Sequence, residues 1–194
     1  MARTTPQTVG GSLQPTGQTI KRLIKLNNMK HQATFTKDPA NKQLNVTRAY
    51  DAPLDKVWKA WTVSHILDQW WGPKPWRAET RIFEFKPGGR WHYAMVGPNG
   101  ERHWSLVEFR SIDPQRSFLS DCVFCDENGK TADFAPAMHW YVEFSATSTG
   151  TRVDVTLTFD KEADLQKIVE MGFEGGFNMG LNQLDEVLEE MLVV

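Results

Sequence analysis

Trp70-Trp71-Gly72-Pro73 closes an apolar helical pattern and stands just before the first long run of strand-like segments. Two adjacent tryptophans would leave a large apolar area in water if both sat in a solvated loop, so at least one is expected to be buried. Gly-Pro is a helix stop, which puts the pair at a seam between helices and sheet, as a wall of a core or of a pocket. Upstream, Asp51-Ala52-Pro53 carries helix-start punctuation, a capping Asp or a turn with Pro near the first helical position. Val57, Trp58, Ala60 and Trp61 then follow at helical spacing. Thr62-Val63-Ser64 interrupts that helix, and His65 to Trp71 makes a second short one with Ser64 as its N-cap. Before both, Leu44 to Tyr50 alternates as a first strand.

Downstream, about 90 residues read as an antiparallel meander. The expected strands are Arg77–Phe85, Arg90–Val96, Arg102–Ser111, Ser117–Cys125, Met138–Ala146 and Arg152–Phe159. Pro87-Gly88-Gly89, Pro98-Asn99-Gly100, Asp113-Pro114, Asn128-Gly129 and Ser148-Thr149-Gly150 supply the turns. In the last strand Val153, Val155, Leu157 and Phe159 point one way while Asp154, Thr156, Thr158 and Asp160 point the other. A sheet with one wet and one buried face needs a cover. Glu162 to about Leu192 provides it, with Leu165, Ile168, Val169, Leu181, Leu184, Val187, Leu188 and Met191 at helical spacing. Gly172, Gly175, Gly176 and Gly180 interrupt this helix, each interior glycine costing about 1 kcal/mol relative to Ala. They mark either a bend or close approach to the sheet, or room left for a ligand.

The 194 residues suit one domain with an appendage, and 40% apolar with 24% charged residues is ordinary for a soluble globular chain. No run of about 18 apolar residues is present, so no integral membrane segment is expected, nor does a secretory h-region appear. Residues 1–37 hold six basic and no acidic residues, and the remainder carries a net charge of −8. An acidic body argues against nucleic acid as the main partner. Residues 1–40, rich in Thr, Gln, Gly and Pro, read as a disordered extension, and 41–194 as the folded domain. The basic, acid-free composition of the extension also fits a transit peptide or surface anchor. The preferred reading is a dispensable tail, or an extension upstream of a start at Met29. Cys122 and Cys125 lie three apart in a strand, on opposite faces, which suits neither a redox pair nor a metal clamp. They read as two unpaired structural thiols in a reducing cytoplasm.

The order of strand, two short helices, six strands and long helix resembles the helix-grip fold of the START-like (SRPBCC) superfamily. The local motifs resemble the family related to the activator of the heat-shock-protein-90 ATPase. Trp70-Trp71-Gly72-Pro73 matches its element after the second helix, Lys86-Pro87-Gly88-Gly89-Arg90-Trp91 its glycine turn, and Met95-Val96-Gly97-Pro98-Asn99-Gly100 its hairpin. Gly176-Phe177, followed by Leu181 and Leu184, resembles the family's C-terminal helix, with Phe where Trp is common. The resemblance covers about residues 44–192. It implies an α+β protein in which a curved antiparallel sheet of about seven strands wraps a long C-terminal helix. For activity it implies little, because the superfamily hosts lipid carriers, cyclases and hydrolases alike.

A concave sheet would turn one face of each strand towards a cavity. Trp91, Tyr93 and Met95 share such a face, as do Trp140, Val142 and Phe144, and Trp104 with Leu106 is assigned to it in the next strand. Of the candidate pair Trp70 and Trp71, one would border the mouth while its partner packs the core, and Met171, Phe173 and Phe177 would line the helical side. An aromatic, Met-lined hollow of this kind suits a small hydrophobic or aromatic molecule. Candidates for chemistry are sparse. His92, His103 and His139 alternate outward, His65 lies nearest the expected mouth, and Asp121 reads as a surface residue rather than an inward base. No metal spacing, nucleophile elbow or phosphate-cradling glycine loop is present. The expected function is therefore small-molecule binding in a cavity between the sheet and the C-terminal helix, without a cofactor, metal or assigned catalytic residue, in a monomer or homodimer. The alternatives are a cyclase- or hydrolase-type enzyme using a polar group in the same cavity, or a co-chaperone-like interaction module.

Overall fold

Period-two alternation becomes pleated strands and the 3.6-residue pattern becomes helices in the order the sequence implies. The computed structural model describes residues 32–193. Its elements are β1 (Thr34–Asp38), β2 (Gln43–Tyr50), α1 (Leu54–Thr62), α2 (Ser64–Trp70), β3 (Arg77–Phe83), β4 (Arg90–Val96), β5 (Arg102–Asp113), β6 (Ser117–Cys125), β7 (Met138–Ala146), β8 (Thr151–Thr158), α3 (Glu162–Glu170) and α4 (Phe173–Val193). The strands form one curved antiparallel sheet in the order β1-β2-β8-β7-β6-β5-β4-β3. Only the connection from β2 to β3 crosses the sheet, and it carries α1 and α2 with it. Those helices and α4 close over one sheet face. Leu44, Val142, Leu157 and Leu184, all without solvent exposure, mark the core between them.

Three features depart from the sequence reading. The sheet has eight strands rather than about seven, because Thr34–Asp38 pairs in register with Gln43–Thr47. That strand falls within the 1–40 extension; the rest of the extension, through residue 31, lies outside the described residues. Neither short helix has a side-chain cap: the N-cap positions are Pro53 and Val63, and Ser64 is already helical. The expected C-terminal helix is two helices, parted at Gly172 with φ of +88°. A side chain at that φ would be strained, so glycine makes the break possible there.

A second glycine answers a different need. A Cβ on Gly180 would lie 3.2 Å from the Trp70 carbonyl oxygen and 3.6 Å from that of Trp71. The glycine lets α4 run close against the end of α2 rather than against the sheet. One turn on, the almost fully buried Gln183 secures the contact. Its Nε2 donates to the carbonyls of Trp70 (2.9 Å) and Gly72 (2.7 Å), and its Oε1 accepts from the Lys74 N–H at 2.7 Å. The last carbonyls of a helix have no partner within it, and here a distant side chain supplies one.

Candidate functional site

Beneath α1 and α2 lies a cavity of about 30 Å³. One water needs roughly 10–15 Å³ by this measure, so the space holds about two. Trp61 ends α1 over it, Leu67 reaches it from α2, and Trp71 follows directly after α2. The floor is sheet: Trp91 from β4, Val107 and Phe109 from β5, Phe118, Ser120 and Cys122 from β6, and Trp140 from β7. The two-residue spacing along β5 and β6 puts these side chains on one face. Of the ten lining residues only Trp71 is not buried, so it stands between cavity and surface.

Hydrogen bonds hold part of this wall rigidly. The Trp71 indole N–H donates to the Tyr93 hydroxyl at 2.9 Å. The Trp91 indole donates to Thr80 Oγ1 at 2.8 Å, and the Thr80 hydroxyl donates to Asp68 at 2.6 Å. Burial pushes the Asp68 carboxyl above its ordinary value, opposed by its bonds from Thr80. Trp70 is fully buried one layer behind the lining and donates to the Ala60 carbonyl at 2.9 Å. The adjacent tryptophans thus divide their work, Trp70 in the core and Trp71 at the cavity wall.

Of the expected ligand-binding residues, Trp71, Trp91 and Trp140 line the cavity, while Tyr93 supports it by holding Trp71. Met95 shares the face of Trp91 but lies beyond the cavity, partly buried against the core. Trp104 is a correction. Cross-strand pairing sets Trp91 opposite Val107 and Tyr93 opposite Ser105, so Trp104 turns to the convex face. There its ring lies 4.8 Å from that of His92 and beneath the Arg81 guanidinium at 5.8 Å. His92, read as exposed, is consequently buried on that same face. Met171 is about half exposed, and Phe173 and Phe177 pack behind Trp140, with ring centroids at 5.9 and 5.5 Å, without lining the cavity. The cavity therefore lies under the two short helices rather than under the glycine-interrupted C-terminal helix. The sequence reading missed Trp61, Leu67, Val107, Phe109, Phe118, Ser120 and Cys122; the alternation of β6 was the available signal for the last three.

No lining residue is a carboxylate, imidazole, ammonium or guanidinium. Burial, then the nearby Cys125 and Asp121, pushes the Cys122 thiol up to about 12, so it stays protonated and a poor nucleophile. Both cysteines are free. His65 is exposed. Among the described residues no cluster could hold a metal ion, and no helix is long and apolar enough to cross a membrane.

His139 and Asp121 meet on the outer face, Nδ1 to carboxylate at 2.6 Å, with Asp160 at 3.4 Å from Nε2 and Arg110 bound to Asp121. The bond to Asp121 holds His139 above its ordinary 6.5 despite partial burial. For Asp121, burial acts upward but is outweighed by the bonds from His139 and Arg110, which leave it below 3.8. Stability from a raised histidine is complete below its unfolded pKa and fades as pH rises through the folded one. That from a lowered carboxyl is complete above its unfolded pKa and fades on acidification. The pair therefore contributes from about pH 4 to somewhat above 6.5. His139→Gln should lower stability by less than about 1 kcal/mol at pH 5.5, the pair being partly solvated, and by clearly less at pH 9. Equal urea midpoint shifts at both pH values would contradict this.

An antiparallel sheet curved around its helices, with two short helices on the single crossover, is the helix-grip fold of START-like domains, which commonly hold hydrophobic ligands. The chain belongs to the family described as Activator of Hsp90 ATPase homolog 1-like protein, whose signature matches residues 51–189. A solution structure of an Arthrobacter aurescens protein is similar at 32% identity and a TM-score of 0.77, covering 81% of this chain and 91% of that one. A Mycobacterium smegmatis protein is similar at 28% identity and a TM-score of 0.75, over 80% and 96% of the two chains. A Staphylococcus epidermidis protein matches at 28% and 0.71, over 81% and 94%. No curated protein matches the chain.

Proposed function

We propose that the protein binds a small hydrophobic or aromatic molecule in the cavity between α1, α2 and the concave face of the sheet. The observation that carries this reading is a lining of four indoles and two phenyl rings, with Trp71 alone among the lining residues bordering the outside. At about 30 Å³ the space is far below the several hundred cubic ångströms of a drug-sized site. A larger occupant enters only if Trp71 turns outward, giving up its bond to Tyr93. The uncharged lining supplies no general acid or base, so catalysis of the cyclase or hydrolase type finds no support in it.

Toluene tests the reading. An occupant that binds only the folded state raises stability by about 2.7 kcal/mol at a hundredfold excess over its Kd. Toluene should therefore raise the unfolding midpoint of the wild-type chain in a saturable way, and Ser120→Leu, which fills the cavity, should abolish the shift. No shift in the wild type, or an equal shift in the filled variant, contradicts binding at this place.

A further inference from the structure

Five indoles surround or back the cavity, four of them buried and Trp71 partly so, and their N–H groups fall into two sets. Trp70, Trp71 and Trp91 donate to Ala60, Tyr93 and Thr80. Trp61 and Trp140, 4% and 5% exposed, have buried N–H groups with no protein acceptor, and both belong to the cavity lining. Among the described residues the other buried donors without an acceptor, Arg48 Nε and the Tyr50 hydroxyl, belong to β2 and do not line it. Buried donors are almost always paired, because a donor stripped of water and left alone forfeits its solvation. Two such donors on rings that line one small apolar cavity make it selective, since an occupant that reaches them with an acceptor relieves a deficit that a plain hydrocarbon leaves in place.

We infer that the occupant is an uncharged molecule that presents an acceptor oxygen, as a ketone or ether does, to the indole N–H groups of Trp61 and Trp140. The inference rests on the binding reading above and narrows it. Charge is excluded because no cationic side chain lines the cavity to compensate a carboxylate or phosphate. Trp71 touches both rings, its centroid 6.1 Å from that of Trp61 and 5.8 Å from that of Trp140. A molecule that displaces Trp71 therefore comes up against both rings.

Two probes of nearly the same shape separate the acceptor from the apolar body: cyclopentanone and methylenecyclopentane, which differ by oxygen for CH₂. Each is titrated into the ¹⁵N-labelled full chain while the indole N–H resonances are followed. Cyclopentanone should bind about tenfold more tightly and should shift the Trp61 and Trp140 indole signals downfield, leaving that of Trp70 in place. Trp61→Phe and Trp140→Phe should each reduce the preference while methylenecyclopentane still binds. Equal affinity of the two probes with unmoved indole signals overturns the acceptor assignment and leaves apolar binding standing. Binding of neither probe, with both indoles showing exchange contacts only to long-lived water that is not displaced, overturns both. The wild-type spectra decide the matter even if either variant fails to fold.

Discussion

Replacing Gln183 with leucine should destabilise the protein by about 3 kcal/mol, as read from denaturant midpoints at unchanged slope. The substitution strips partners from the Trp70 and Gly72 carbonyls and from the Lys74 N–H. An unpaired buried polar group costs about 1–3 kcal/mol, and Lys74, on an exposed residue, recovers water most easily. Gln183→Glu retains an acceptor for Lys74 but places a carboxylate against two carbonyl oxygens. Its carboxyl is then more basic folded than unfolded, so the loss should grow as pH rises above the ordinary carboxylate range. A cost below about 1 kcal/mol for the leucine variant would mean that the α2–α4 junction is held by apolar contact alone.

Asp185→Ala should cost about 3–5 kcal/mol, because it leaves a guanidinium buried without its carboxylate. Arg48 is 2% exposed; it bonds Asp185 through one terminal nitrogen and the Asn182 side-chain oxygen, at 2.7 Å, through the other. Its charge also lies 5.5 Å from the centre of the Tyr50 ring. The double variant Arg48→Met with Asp185→Leu should recover most of the loss, since well-packed apolar replacements of buried ion pairs are often neutral or stabilising. A double variant as unstable as the single one would show that the pair does more than satisfy itself, for example by setting how far α4 slides along β2.

Strands β2 to β8 were legible from their apolar alternation, clearest in β8, and from the Gly, Pro or Asn in the turns from β3 onward. β1 was not. In Thr34-Phe35-Thr36-Lys37-Asp38 only Phe35 packs against the core, and an edge strand can be held by backbone pairing to β2 alone. Trp104 was misplaced because both faces of β5 carry apolar residues, Trp104 and Leu106 on one and Val107 and Phe109 on the other. Alternation alone could not choose between them; the register with β4 does. The glycine cluster announced an irregular helix, but its causes lie in backbone geometry at Gly172 and in a neighbour far away in sequence at Gly180. The cavity was legible in kind and not in place. That Trp61 and Trp140 lack acceptors shows only in the structure, where Trp70, Trp71 and Trp91 have found theirs.

The tryptophans carry an optical consequence as well. Of the eight in the chain, Trp61, Trp70 and Trp71 form a row of rings that branches at Trp71 to Trp91 and Trp140, with touching centroids 4.9 to 5.8 Å apart. At such spacings excitation hops among the indoles before emission, and their transition dipoles couple. The near-ultraviolet circular dichroism and the fluorescence of the protein should therefore be dominated by this one neighbourhood rather than averaged over the molecule. A change at a single member, such as Trp71 swinging away from Tyr93, would alter the light given out by all five.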